Sequence, residues 1–361
     1  MQPWCPASQR TPLPAPTPEA LVRNGCVETE NRLPTRRPDV DHIAVTPDSV
    51  QIPTTGVRAV WADVPEHVRA GIEDLLGAPV VDTVGQHGGF SPGLAVRVRC
   101  ADGTRAFVKA AGTSLNPLTP GMYRSEASIA GRLPDTGTIP ALLATYDDGD
   151  WVALVFDEID GRMPHVPWRH DELDRVVHAV TDLSRALTPC PVETAPPADE
   201  QLATIMHGYR DIADEPPEDL DPWERRHLDR LADLAESALH HLAGDTLVHL
   251  DLRTDNILLD DDRVWFVDWA HACRGAAWID TVILMVNAAL HGHDPEPHIR
   301  RHPLSADVDP DHVTAFIAGL CGFFGAFSRR PDPPGLPTLR QFQRAQHTST
   351  LAWVRRRTGW I

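Results

Sequence analysis

The stretch His249-Leu-Asp251-Leu-Arg253-Thr-Asp255-Asn256, followed by Ile257-Leu-Leu259, an acidic turn Asp260-Asp-Asp-Arg263, and Val264-Trp-Phe-Val-Asp268-Trp269, decides the reading of this chain. The two apolar runs alternate around a turn rich in Asp, which is the pattern of a short β-hairpin. Such a hairpin folds Asp251, Asn256 and Asp268 toward one point. Three hard oxygen-bearing side chains at one point suit a divalent cation and the phosphates of a nucleotide. Asp260, Asp261 and Asp262 are read differently: at a hairpin tip, aspartates serve as solvated turn residues. His249 is read as a packed prop of the loop.

Working outward from this stretch, one composition feature points back to it. Of the 33 basic residues, 32 are Arg and the single Lys is Lys109. A compact ammonium retained in a chain that otherwise uses Arg is read either as a position where the planar fork does not serve or as chance survival. Lys109 lies in Arg105–Ala110, which follows the hairpin turn Ala101-Asp-Gly-Thr104 and the alternating segment Leu94–Cys100, so it sits on a third strand. Upstream, Val80–Val84 reads as a strand and Gly85-Gln-His-Gly-Gly-Phe-Ser-Pro-Gly93 as a glycine loop. Glycines there let backbone N–H groups approach a phosphate, although such loops are also ordinary tight hairpins. A helix is expected over Tyr123–Leu133 with Glu126 in its first turn. Glu126 then either complements the helix dipole or pairs with Lys109. Ala141–Tyr146 and Trp151–Phe156 flank Asp147-Asp-Gly-Asp150 as a further hairpin.

Before these strands, Trp61–Leu76 has helical spacing, with Asp63 and Glu66 at its start. Residues 1–55 carry ten prolines and little apolar periodicity, and are read as a disordered tail outside the fold. Beyond Gly161 the chain turns helical, with helices expected over His170–Leu187, Gln201–Ile212, Pro222–Leu242, Ala276–Leu290, Asp311–Phe327 and Pro337–Thr358. Asp221 and Pro222 supply the start signal of the third. His291-Gly-His293 is read as helix-end histidines rather than a metal site.

Charge and cysteine usage narrow the function classes. With 51 acids against 33 bases the formal charge is -18, which disfavours nucleic acid and anionic membrane surfaces as partners. The six cysteines have no paired spacing, which fits a reducing cytoplasm. The longest apolar run, Phe316–Phe327, is well short of the roughly 20 residues that span a bilayer.

The glycine loop, Lys109 on a third strand, Glu126 on the next helix, His249-x-Asp251-x4-Asn256 and Asp268-Trp269 together resemble the aminoglycoside phosphotransferase and choline kinase family. The resemblance runs from about residue 80 to at least 290. It implies an α+β, two-lobed, protein-kinase-like fold: a small antiparallel-sheet N-lobe with one helix over residues 56–160, and a larger, mainly helical C-lobe over 161–361 that carries the catalytic loop and the acceptor region. It implies ATP or GTP and Mg²⁺ as cofactors, and transfer of the γ-phosphoryl group to a hydroxyl of an aminoglycoside-like or other small metabolite. By that resemblance Asp251 orients the acceptor hydroxyl, Asn256 and Asp268 hold the metal, and Lys109, steered by Glu126, meets the phosphates. Gly88, Gly89 and Ser91 of the loop, and Asp157 and Ile159 at the end of the sheet, are the other implied nucleotide contacts. Asp280 matches the family's buried anchor of the catalytic loop, with helix capping as the ordinary alternative.

Arg253 departs from the family pattern, which has a small or neutral residue there. It is expected either to touch the transferred phosphoryl or to form an ion pair with Asp255. Two acidic runs, six acids in Asp147–Asp160 and six in Asp211–Asp221, are able to attract a cationic acceptor or to be solvated loops. A monomer is expected. The competing reading is a catalytically silent nucleotide-binding or regulatory protein on the same fold; it is disfavoured because Lys109, Asp251, Asn256 and Asp268 are all present.

Overall fold

The computed structural model describes residues 58–361 except His87 and Ser91, so the proline-rich segment and Ser91 of the glycine loop lie outside the described residues. Alternation in the strands separates two faces. A six-stranded sheet is built from β1 (Arg58–Ala59), β2 (Val80–Gly85), β3 (Gly93–Cys100), β4 (Arg105–Gly112), β5 (Leu142–Asp147) and β6 (Trp151–Phe156) in the order β1-β3-β4-β6-β5. Strand β2 pairs antiparallel with β3 along Val80–Cys100, while the two-residue β1 runs parallel to the start of β3 at Gly93 and Leu94. All other pairings in this sheet are antiparallel.

Helix α1 (Glu66–Leu76) covers one face, where Val68 and Ile72 meet Leu94, Val96, Ala106, Val108 and Val155. The intervening residues of the same strands face the other way. Ala111, Val152, Leu154 and Phe156 pack under helix α2 (Thr119–Ala130), whose Tyr123 and Ala130 complete a second core. The period of two therefore places Lys109 on the α2 face, the side that also carries Phe107.

The helical part begins after the strand-ending segment at Gly161. It comprises α3 (His170–Ala186), α4 (Ala198–Met206), α5 (Gly208–Asp214), α6 (Pro222–Ser237), α7 (Ile279–Leu290), α8 (Glu296–Arg301), α9 (Pro310–Phe327) and α10 (Leu339–Thr358) around one large core. Asp221 caps α6 through Trp223 N and Glu224 N. Strand β7 (Thr246–Val248) pairs with β10 (Cys273–Gly275), and β8 (Ile257–Leu259) with β9 (Val264–Phe266), so these two ladders bracket the segment between them.

Several sequence expectations are corrected. The helix read over Gln201–Ile212 is two helices that part at His207. The one read over Trp61–Leu76 is a 3₁₀ turn at Trp61–Asp63 followed by α1, and Asp63 bonds Val60 N rather than starting α1. Pro222–Leu242 stops as an α-helix at Ser237 and continues as a 3₁₀ turn. Most relevant to the site, α2 starts at Thr119, which puts Glu126 well inside the helix and removes the dipole explanation for it. Helix α8 and strands β1, β7 and β10 carry too few residues for a periodicity to show.

Just after the break between α4 and α5 the chain packs closely against α9. Gly208 and Gly322 let α5 and α9 touch backbone to backbone, and a Cβ on Gly322 would lie 2.6 Å from Tyr209 N and 2.7 Å from its ring. Gly322→Ala is expected to destabilise the fold by about 1–3 kcal/mol, the usual cost of overpacking. An unchanged midpoint in thermal or urea denaturation would contradict this close approach.

Candidate functional site

The hairpin of β8 and β9 brings the ends of the deciding stretch together. Asn256 donates through Nδ2 to both the Asp251 carbonyl (2.8 Å) and Asp251 Oδ2 (2.9 Å), and Val267 N donates to the Asn256 carbonyl at 3.0 Å. Because a carbonyl only accepts, Nδ2 must be the atom facing Asp251, so Asn256 Oδ1 is turned away from it. Lys109 Nζ donates to Glu126 Oε2 at 2.7 Å and lies 3.1 Å from Asp268 Oδ1. Of the two readings of Glu126, the structure shows the ion pair.

This arrangement is held by buried backbone anchors. Asp280, in the first turn of α7, accepts from His249 N at 2.7 Å and Leu250 N at 2.9 Å, so it fastens the loop that starts at His249 and does not cap its own helix. His249 is fully buried; its Nε2–H donates to the Val267 carbonyl (2.9 Å), and its Nδ1 accepts from Asp251 N (3.2 Å). A carbonyl partner on one nitrogen and an N–H partner on the other fix a neutral tautomer, and burial holds its pKa down to about 4. Leu250 (φ 66°) and Asp268 (φ 69°) adopt left-handed backbone, a conformation that costs on the order of 1–3 kcal/mol per residue and clusters at functional sites. At Asp268 that turn points the carboxylate at Lys109.

The electrostatics separate the carboxylates by role. Burial pushes Asp251 up to about 6, against the opposing charge of Arg253. Burial also pushes Asp280 up to about 6, partly offset by the two N–H groups it accepts. At Asp268 burial pushes the other way, but Lys109, by charge and hydrogen bond, together with His271 and His249 outweighs it and holds the carboxyl down to about 2. Lys109 is raised, because Asp268 and Glu126 together outweigh its desolvation. Glu126 is the member of this triad that burial drives upward.

Arg253 takes both partners open to it. Its Nη1 donates to Asp251 Oδ1 at 2.8 Å, while Nε and Nη2 grip Asp255 in a bidentate pair at 3.0 and 2.9 Å. Its guanidinium lies 5.4 Å from the Phe90 ring of the glycine loop and 5.8 Å from the Phe342 ring of α10, and the two rings are 5.1 Å apart. Phe90 and Phe342 were not among the residues picked out in the sequence; nothing local links positions so far apart.

A cleft of about 350 Å³ runs from this cluster to the end of the sheet. Its walls combine apolar side chains (Ala95, Phe107, Phe156, Ile159, Leu258) with the polar groups of Lys109, Asn256 and Asp268, and Gly88 and Gly89 line it as well. Asp157 and Ile159 also line it, so every expected residue that is described, apart from Asp251 and Arg253 just beyond the lining, borders one space. Among the lining residues not proposed from the sequence as site residues are two charged ones, Arg58 and Glu158. Arg58 lies in the two-residue strand β1, and Glu158 joins Arg105 in a bidentate pair at 2.9 and 2.6 Å.

The hairpin-tip and helix-end candidates, and the acidic runs apart from Asp157 and Glu158, do not line the cleft. Asp260 accepts from Asp262 N (2.8 Å), Arg263 N (2.5 Å) and Trp265 Nε1 (2.7 Å), as a turn residue does. His293 bonds the Trp168 carbonyl at 2.9 Å. Much of each acidic run is engaged: Asp147 by Arg124, Glu158 by Arg105, Asp211 by Arg330, Asp219 by Arg329 and Asp221 by Arg355. Among the described residues one group could gather metal ligands elsewhere, Glu224, Cys321 and His347. It reads as a closed hydrogen-bond network: His347 Nδ1–H meets the Cys321 carbonyl at 3.0 Å, Nε2 faces Glu224 at 3.3 Å, and Tyr209 donates to Glu224 at 2.9 Å.

Comparison with known proteins follows this geometry. Residues 89–301 match the phosphotransferase enzyme family. Comparison with curated proteins gives no match. Among solved structures, a thermostable mutant of the aminoglycoside phosphotransferase APH(4)-Ia, in ternary complex with ADP and hygromycin B, is similar with a TM-score of 0.55 at 16% identity, over 80% of this chain and 98% of that one. Choline kinase LicA from Streptococcus pneumoniae is similar at 0.53 and 12% identity, over 80% and 98% of the two chains. A choline/ethanolamine kinase family protein from Mesorhizobium loti reaches 0.54 at 17% identity, over 81% and 94%. Identities this low speak to the fold, which is the α+β, protein-kinase-like fold. No helix among the described residues is long and apolar enough to cross a membrane. With its matched segment covering more than half of the sequence, the chain belongs to the phosphotransferase enzyme family.

Proposed function

We propose that this protein is a small-molecule kinase that moves the γ-phosphoryl group of ATP or GTP to a hydroxyl of a small acceptor. The observation that carries this reading is the convergence of Lys109, Asn256 and Asp268 on the lining of one cleft, with Asp251 hydrogen-bonded to Asn256. The apolar part of the lining suits a nucleobase, and Asp157 and Ile159 belong to the same lining. Residues 56–160 then form the nucleotide-binding lobe and 161–361 the lobe that presents the catalytic loop and receives the acceptor. The similar aminoglycoside phosphotransferase holds ADP and hygromycin B, which supports a nucleotide and a small acceptor side by side.

The residues divide the work as phosphoryl transfer requires, by position and charge rather than by covalent chemistry. Lys109, held by Glu126, presents its ammonium to phosphate oxygens. Asn256 Oδ1 and the Asp268 carboxylate are hard oxygen donors of the kind Mg²⁺ takes, and both residues line the same cleft. Bound there, Mg²⁺ would supply charge neutralisation on the phosphates. Asp251 accepts the proton of the acceptor hydroxyl; each of its oxygens already takes one hydrogen bond and has a second lone pair to offer. Arg253, held between Asp251 and Asp255, would meet the phosphoryl group as it leaves the nucleotide. Because so many of the acids in the two runs are paired with arginines, attraction of a polycation by those runs has less support than a small acceptor of modest charge.

Incubation with Mg·ATP or Mg·GTP and a panel of aminoglycosides, choline-like amines, sugars and other small alcohols tests this. Phosphate ester formation on at least one acceptor, with nucleoside diphosphate released in equal amount, is the expected result. Absence of both transfer and slow nucleotide hydrolysis would favour the silent nucleotide-binding alternative.

A further inference from the structure

One buried hydroxyl near Lys109 stands without a partner. Tyr123, on α2, is 1% exposed, and its hydroxyl makes no hydrogen bond among the described residues. Buried hydroxyls are bonded as a rule, because one left alone has given up its bonds to water and gained nothing in return. Burial raises its pKa to about 12, so the group stays neutral and keeps its proton to donate.

Its surroundings are those of the cleft. Tyr123 precedes Glu126 by three residues, which sets both side chains on one face of α2, and Lys109 Nζ lies 5.2 Å from the centre of the Tyr123 ring. The other end of the side chain reaches the glycine loop: a Cβ built on Gly93, the last residue of that loop, would lie 3.5 Å from the hydroxyl oxygen. Tyr123 thus extends from the ammonium of Lys109 to the base of the loop. The middle of the same loop rests on the helical part. A Cβ on Gly88 would lie 4.0 Å from Asp255 Cβ, one on Gly89 3.9 Å from Asp255 Oδ2, and the Phe90 ring is 5.1 Å from that of Phe342. Gly88 and Gly89 line one cleft with Lys109 and Asp268, so phosphates held by those two side chains lie against this loop.

We propose that the Tyr123 hydroxyl is a donor reserved for the nucleotide: phosphates that enter the cleft raise the glycine loop, uncover the hydroxyl at its base, and receive a hydrogen bond from it beside Lys109. An O–H donated to a charged phosphate oxygen is among the stronger hydrogen bonds, and it adds no further charge to a cleft already crowded with carboxylates. The inference rests on the nucleotide reading of the cleft.

The test is calorimetric binding of ADP or GDP, whichever wild type prefers, with Mg²⁺, to the full-length chain, beside the matching nucleoside without phosphates. The thermal midpoint of each protein is measured without nucleotide. Tyr123→Phe removes the hydroxyl and keeps the ring against Lys109. It is expected to weaken the diphosphate by about 10-fold or more, as for a lost hydrogen bond to a charged group, and to leave nucleoside affinity at its wild-type value. Its midpoint is expected to be no lower than that of wild type, because the hydroxyl bonds nothing in the free chain. Diphosphate affinity unchanged in Tyr123→Phe, or diphosphate and nucleoside weakened in equal measure, overturns the role of Tyr123. A midpoint that falls shows the hydroxyl to be bonded in the free chain and overturns it as well. If wild type binds neither diphosphate, the nucleotide reading itself fails and takes this inference with it.

Discussion

Asp251→Asn is expected to lower kcat by about 10²- to 10⁴-fold, the range over which a positioned proton acceptor contributes. The substitution keeps the shape of the side chain, and Arg253 keeps its bidentate partner Asp255, so the loop retains its anchor. Nucleotide affinity is therefore expected to hold while turnover collapses. The same residue sets a pH dependence. Burial raises its pKa to about 6, so the form that accepts a proton is the minor one below that value and the major one above it. The acid limb of kcat/KM is accordingly expected to rise with pH and level off above about pH 6 in the wild type, and to flatten in Asp251→Asn. A variant that keeps kcat within an order of magnitude of wild type would remove Asp251 from the chemistry.

The second large effect concerns stability and lies outside the cleft. Glu224 is fully buried on α6, and it accepts from Tyr209 of α5 and faces His347 of α10, whose other nitrogen is bound to the α9 backbone at Cys321. Burial disfavours the His347 cation, but the Cys321 sulfur and the Glu224 carboxylate beside it outweigh that penalty, so its pKa is raised to about 11. Glu224→Ala leaves a buried cation and a buried hydroxyl without their shared acceptor. A cost of about 3–5 kcal/mol is expected, the usual result of removing one partner of a buried pair. For a histidine whose folded pKa is raised, the contribution is complete below the unfolded value of 6.5 and is lost progressively as pH climbs through the folded one. The gap between wild type and Glu224→Ala in urea denaturation should thus be wider at pH 6 than at pH 10. A gap that grows toward alkaline pH would contradict the pairing.

The contrast between these two places explains what was legible in the sequence. Asp251, Asn256 and Asp268 are separated by a short hairpin, so the loop that brings them together is small and its strand and turn signals are local. Lys109 was readable because alternation along one strand assigns its face and because it is the only lysine. Glu126 was found as a partner, but the reason first offered for it failed, since α2 begins at Thr119 and no periodicity marked that start. Tyr209, Glu224, Cys321 and His347 come from four helices spread over the C-terminal half, and each taken singly is an ordinary core residue. Phe90 and Phe342 meet over Arg253 for the same tertiary reason. The close approach of Gly208 and Gly322 just after the split at His207 is likewise tertiary. Arg58 escaped because a two-residue strand has no pattern to read.

The central claim is that Lys109 and Asp268 mark a Mg²⁺-dependent nucleotide site. Calorimetric titration of the full-length chain with a non-hydrolysable ATP or GTP analogue, with and without Mg²⁺, addresses it without knowledge of the acceptor. The prediction is one site per chain, tightened by Mg²⁺ in the wild type and insensitive to Mg²⁺ in Asp268→Ala. No binding by the wild type, or an equal Mg²⁺ effect in both proteins, would contradict it.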